Sequence, residues 1–192
     1  MNINKWIFLL ILLFISPVSS VLAQEGSNLP DETPPTGKMT VFLDNRLLFG
    51  LSATNGGFGF GGTVNGQYVF PFHLGVGLES GYYSFRASID QEGARTVGGF
   101  SLIPLYATVS FNIPVVSNFY ITPILKVGGA YAQAKINGWL GGDSFAPLFE
   151  GGVRFKAYMR GGLLIQGGIF YTGMIETSGL FSIMSIGMGF GL

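Results

Sequence analysis

An otherwise apolar run, FEGGVRFKAYM (Phe149–Met159), carries three charged side chains: Glu150, Arg154 and Lys156. All three are at even positions, whereas Phe149, Val153, Phe155, Ala157 and Met159 are at odd ones. Side chains alternate between the two faces of a β-strand, so this parity gathers the charges on one face. Arg46, Glu79 and Lys126 occupy equivalent positions in other alternating segments. Six such groups facing one another make an ion-pair network or, in an open bore, the charged lining that selects ions. Paired-carboxylate acid–base chemistry fits poorly, since Glu79 and Glu150 have cationic partners within reach. Ester chemistry on a lipid needs a nucleophile, a base and an orienting acid within hydrogen-bond distance. The only histidine is His73, in a PFH turn, and there is no cysteine. No cluster has metal-ligand spacing. The glycines of GGFGFGG run from a loop into a strand and open no helix, so they form no phosphate cradle. The residues therefore predict no catalytic, cofactor or metal site.

Composition limits what can position these charges. The chain has 192 residues, enough for one domain. Charged residues make up 10% and hydrophobic ones 48%, against about 25% charged in soluble proteins. Ten basic residues balance ten acidic ones, which argues against nucleic acid as a partner. The absence of cysteine excludes disulfides, a thiol nucleophile and a lipoprotein anchor. Lys5, the run WIFLLILLFI and VLA before Gln24 resemble a secretory signal peptide over residues 1–23; the alternative, a retained membrane anchor, would need a longer apolar run of ~20 residues. Residues 24–38, polar and Pro-rich, read as a flexible periplasmic leader. Residues 39–192 are left to form the folded domain.

In that domain the dominant apolar period is two. Eight segments show it: NRLLFGLSA, GFGGTVNGQYVF, LGVGLESGYY, SLIPLYATVSFNI, FYITPILKVGGAYA, the opening run, LLIQGGIFYTGMIE and FSIMSIGMGFGL. One face carries Phe, Tyr, Leu, Ile and Met; the other carries Gly, Ala, Ser and Thr with the few charges. The bore of an eight-stranded barrel is just wide enough to be filled by side chains. The bulky set is too large for it, and the small set is too poor in charge to face water. The bulky face therefore points outward, into lipid. The expected fold is all-β: an eight-stranded antiparallel transmembrane β-barrel with up-and-down topology. Each segment meets the ~9–11 residues needed to span a membrane, and closure satisfies the backbone at every edge.

The expected periplasmic turns are PFH, PVVSN and RGG, and the expected external loops are ATNGG, SIDQEGARTVGG, NGWLGGDSF and TSGL. Both chain ends then lie in the periplasm. Aromatic girdles are expected from Tyr68, Phe70, Phe72, Phe111 and Phe119 at one rim and Phe58, Phe60, Tyr82, Tyr131 and Tyr171 at the other. Over 39–192 this pattern resembles the small outer-membrane barrels of the OmpA-like and OmpX-like group. That group usually ends in an aromatic residue read by the outer-membrane insertion machinery; here the last residue is Leu192, with Phe190 nearby. The resemblance implies an outer-membrane protein of a diderm bacterium, in contact with lipid; the expectation of no enzymatic activity rests on the residues above.

By strand parity Arg46, Glu79, Lys126, Glu150, Arg154 and Lys156 all point into the bore. Counting from the turns puts Arg46, Glu79, Lys126 and Arg154 at similar heights, with Glu79 as hub and Glu150 one layer higher. The cluster is expected to plug the lumen and fix strand register, leaving a structural or surface-interaction role; the alternative is a narrow porin-like passage for ions or small hydrophobic molecules. A lipid A-modifying enzyme is the remaining alternative. Loop residues Asp90, Glu92, Arg95 and Trp139 are the candidates for an extracellular ligand.

Overall fold

A computed structural model describes residues 37–51, 57–91, 94–136, 139–159, 163–176 and 179–191, with side chains omitted at 87–97, 134–143 and 176–181. The expected signal peptide and nearly all of the leader lie outside these residues. Nine strands follow in order: β1 (Lys38–Gly50), β2 (Gly57–Val69), β3 (Leu74–Gln91), β4 (Ala94–Phe111), β5 (Ile113–Val116), β6 (Phe119–Ile136), β7 (Trp139–Tyr158), β8 (Leu164–Glu176) and β9 (Gly179–Gly191). β4 and β5 are one barrel strand interrupted at Asn112, and both pair with β6. At the interruption the Asn112 N–H donates to the His73 carbonyl at 2.9 Å, which keeps the broken backbone bonded. Every neighbour in sequence is an antiparallel neighbour in space, and β1 pairs with β9 to close the sheet. The result is a closed, eight-stranded, up-and-down barrel without a free edge.

Alternation determines which side chains line which surface. Along β1, Thr40, Phe42, Asp44, Arg46 and Leu48 are buried, while Met39, Val41 and Leu43 are exposed. Outward residues across the sheet are large and apolar: Phe145 is 75% exposed, Leu78 64% and Phe60 63%. Inward residues include Thr63, Asn65, Gln67, Thr108 and Thr122, all buried. This is the inverse of a water-soluble protein, and it suits a barrel solvated by hydrocarbon. Most residues expected in the girdles are exposed on the outer wall, including Phe58, Tyr68, Phe72, Phe111, Tyr131 and Tyr171. At one rim Tyr68, Phe70 and Phe72 form a chain of ring contacts with centroids 4.9 and 5.4 Å apart.

The two rims differ. At one, the connections are short. Pro71–His73 turns the chain, with the His73 N–H donating to the Phe70 carbonyl at 3.0 Å and His73 itself in the left-handed region at φ 67°. At the other, the barrel wall continues as long hairpins. β3, β4 and β6 have 18 residues each and β7 has 20, well beyond the ~9–11 a membrane requires.

Four expectations are corrected here. The first strand begins at Lys38, seven residues before NRLLFGLSA, because KMTVFLD already alternates and pairs with β2 from Lys38↔Val69 onward. SIDQEGARTVGG is mostly strand: Asp90 pairs with Arg95, and only Glu92 and Gly93 lie between β3 and β4. NGWLGGDSF is likewise strand from Trp139, across a register shift at Ala134/Lys135. Polar residues and glycines suggest loops, but backbone pairing with a regular neighbour decides. In PVVSN only Ser117 and Asn118 turn; Pro114 pairs with Tyr120 beside a register shift, where a missing N–H does least harm. RGG, the ATNG of ATNGG and Leu192 lie outside the described residues, while Gly57 already begins β2 and the GL of TSGL begins β9.

Candidate functional site: an ionic belt in the bore

Strand parity turns the charged residues inward, and register sets part of them side by side. Lys126 on β6 is directly paired with Glu150 on β7, and Asn65 on β2 with Glu79 on β3. Glu79 accepts four hydrogen bonds: from Arg46 Nη2 at 2.9 Å, Lys126 Nζ at 2.6 Å, Arg154 Nη2 at 3.1 Å and Asn65 Nδ2 at 3.1 Å. Glu150 takes both oxygens to Arg46 Nη1 at 2.8 Å, and it also receives Lys126 Nζ at 2.6 Å and the Thr172 hydroxyl at 2.8 Å. Arg46 and Lys126 therefore bridge the two glutamates. Side-chain exposure of all four is 0%. Buried charges of this kind hold only when paired and hydrogen-bonded.

Asp44 is a third carboxylate, and the sequence reading missed it. It accepts from Arg154 Nη2 at 2.7 Å and from the Gln166 amide. Asp44 shares even parity with Arg46, but it lies one residue before the segment NRLLFGLSA from which the sequence pattern starts the first strand. Lys156 stands apart from the belt. It donates to Asn112 Oδ1 at 3.0 Å and sits 5.0 Å from the centre of the Phe42 ring. Among the described residues no carboxylate forms an ion pair with it. Among the described residues the bore thus holds three carboxylates (Asp44, Glu79, Glu150) against four cations (Arg46, Lys126, Arg154, Lys156), a surplus of one positive charge.

The bore also holds bulky rings, contrary to the expectation that only small and charged groups fill it. Phe170 lies among three cations, with its centroid 4.2 Å from Arg46 Cζ, 5.1 Å from Lys126 Nζ and 5.5 Å from Arg154 Cζ. The negative face of an aromatic ring attracts desolvated cations, so the ring supplements the carboxylates. Space comes from bare backbone beside it. A Cβ on Gly152 would stand 2.5 Å from Phe170 Cδ1, and one on Gly168 would stand 2.7 Å from its Cζ. Tyr83 lies over Gly61 in the same way, at 2.3 Å. Glycines opposite aromatics thus let an eight-stranded bore accept side chains that glycine-free walls would exclude.

Apolar clusters flank the belt in both directions. Toward the hairpin rim, Leu48, Tyr83, Phe85, Leu102, Tyr106 and their neighbours form one buried cluster. Toward the short-turn rim, Phe42, Tyr120, Tyr158 and Leu164 form another. A furrow of about 380 Å³, lined by Met39, Val64, Gly66, Leu78 and Leu105 among others, opens on the outer wall.

The remaining candidates do not join this site. His73 is in the Pro71–His73 turn, away from the belt. The side chains of Asp90, Glu92, Arg95 and Trp139 lie outside the described residues. Among the described residues no group of three or more His, Asp or Glu side chains could hold a metal ion.

No family model matches the sequence, and no curated protein matches it. Solved structures do match the fold. Neisserial surface protein A superposes with a TM-score of 0.56 at 15% identity, covering 80% of this chain and 96% of that one. OprG, an outer-membrane protein of Pseudomonas aeruginosa, gives 0.56 at 10% identity, covering 84% and 98%. Ail, the attachment invasion locus protein of Yersinia pestis, gives 0.52 at 12%, covering 82% and 100%. At such identities the likeness concerns architecture, and it extends over nearly the whole of each of those chains. With its inverted surface and closed sheet, this chain has the fold of the small eight-stranded outer-membrane β-barrel proteins.

Proposed function

We propose that the protein is an outer-membrane scaffold with a sealed bore, whose role is structural or lies in what its hairpins contact outside the cell. The observation behind this reading is the filled lumen: ion-paired side chains at 0–4% exposure, capped by apolar clusters on either side. An ion entering that bore would have to displace charged side chains already paired with one another. The short-turn rim and both chain ends face the periplasm, and the long hairpins stand outside. Asp90, Glu92, Arg95 and Trp139 are then the residues offered to an extracellular ligand, from strand ends and the link between them. Two of the similar folds belong to a surface protein and an attachment protein, which agrees with a surface role. Contact with outer-membrane lipid and delivery by the insertion machinery follow from the same placement.

No catalysis is assigned. Asp44, Glu79 and Glu150 are each held by cations, and His73 has none of them as a hydrogen-bond partner. Purified protein refolded into planar bilayers tests the reading: a baseline current is expected, and sustained nanosiemens-scale openings would instead make the belt a selectivity ring. Mass analysis of lipid A from cells lacking the gene tests the absence of catalysis, and an altered acyl pattern would overturn it.

A further inference from the structure

Asn45 is a polar side chain on the wrong surface. It lies on β1 between Asp44 and Arg46, both members of the ionic belt, yet its own side chain points out of the barrel and is exposed. Its neighbours above and below on that wall are Leu43 and Leu47, and its strand partners are Gly62 on β2 and Met188 on β9. Among the described residues no group hydrogen-bonds to its carboxamide. Ser80, a small outward hydroxyl on β3, is different: it donates to the Pro104 carbonyl at 2.9 Å. At the depth of the belt, hydrocarbon offers an amide neither donor nor acceptor, and an unpaired polar group there is costly.

We infer that this wall is the interface of a homodimer in the membrane, with Asn45 on its two-fold axis. All copies insert with the same rim outward, so a two-fold axis relating two of them runs along the membrane normal. A residue on such an axis meets its own copy at its own depth. A carboxamide carries both a donor and an acceptor and is therefore complementary to itself; a lone serine or a charged group would be less suited or repelled. Gly62 supplies the close approach. The Asn45 Oδ1 lies 3.8 Å from where a Cβ on Gly62 would stand, so no side chain shields the amide on that flank. Within a bilayer apolar surface gives little drive for association, and small residues with inter-subunit hydrogen bonds supply it instead.

The inference rests on the membrane placement proposed above, so the experiment first confirms insertion by protease protection in liposomes. The chain has no cysteine, which makes single-cysteine variants clean probes. Under mild oxidation in liposomes, Leu47→Cys, two residues from Asn45 on the same wall, should give a disulfide dimer. Val127→Cys, exposed on β6 across the barrel, should not. Energy transfer between labelled copies, titrated against lipid, should show dimerisation weakened about tenfold or more by Asn45→Leu, and retained by Asn45→Gln. Asn45→Leu removes a polar group from an apolar wall and threatens no internal contact. Inserted protein that stays monomeric at every lipid ratio would overturn the inference. So would dimerisation unaffected by Asn45→Leu, or equal cross-linking at Leu47→Cys and Val127→Cys.

Discussion

Replacing Glu79 by glutamine keeps its shape and removes its charge, which isolates the work of the belt's central carboxylate. In the native bore Glu79 faces Arg46 Nη2, Lys126 Nζ and Arg154 Nη2 at 2.6–3.1 Å, with no solvent to screen them. Glu79→Gln raises the surplus of lumen charge from one to two positives and turns an amide N–H₂ toward cations that have nothing to accept. Breaking one partner out of a buried pair typically costs about 3–5 kcal/mol. With a urea slope of about 2 kcal/mol per molar, the unfolding midpoint should fall by roughly 2 M. The double variant Glu79→Gln/Lys126→Met restores the surplus to one and should recover part of the loss, a non-additivity that separates electrostatics from packing. Urea unfolding in detergent micelles, followed by circular dichroism, gives both numbers. A midpoint for Glu79→Gln within about 0.3 M of wild type, or a double variant showing the plain sum of two losses, would refute the reasoning. Bilayer current should stay at baseline for Glu79→Gln, since the apolar clusters remain.

Three further outcomes follow from the packing. Phe170→Ala removes the ring shared by three cations and leaves a void against Gly152 and Gly168; a loss of about 3–5 kcal/mol is expected in the same unfolding assay. Ile169→Arg puts a charge on the outer wall beside Val153 and Ile186, and should cost about 2–4 kcal/mol in lipid vesicles, whereas a water-exposed wall would tolerate it. Gly61→Ala would set a Cβ 2.6 Å from the Tyr82 carbonyl oxygen and should destabilise by about 1–3 kcal/mol, while Gly151→Ala, with nothing within 4 Å, should be close to neutral.

Much of the architecture was legible because a barrel writes its two faces into alternate residues. Val153, Phe155, Arg154 and Lys156 declare their sides by parity alone, and so do Arg46, Glu79 and Lys126. The errors have physical sources. Asp44 was overlooked because the strand was started at Asn45, although strand ends are where pattern is weakest and pairing decides. The hairpins were read as loops because SIDQ and GGDS are polar; strands that leave the membrane no longer need an apolar face, so periodicity fades while hydrogen bonding continues. The bulk argument excludes Phe170 and Tyr83 from the bore, yet both are buried in it. Their admission depends on Gly152 and Gly61 on neighbouring strands, a cross-strand fit that requires register, and on Gly168 two residues before Phe170 on its own strand. The separation of Lys156 from the belt depends on Asn112 and Phe42 lying beside it, which one-dimensional counting does not reveal.

Thiol reactivity along β9 tests the sealed, inverted barrel most directly. Met184→Cys and Met188→Cys replace exposed outward residues, and Ser185→Cys replaces one that is fully buried in the bore. In liposomes the two outward cysteines, spin-labelled before refolding, should be relaxed by lipid-soluble oxygen and not by a charged nickel chelate, and Ser185→Cys should not react with a small charged methanethiosulfonate until the protein is unfolded. Rapid modification of Ser185→Cys by the charged reagent in the folded protein would mean a water-filled bore and would contradict the account.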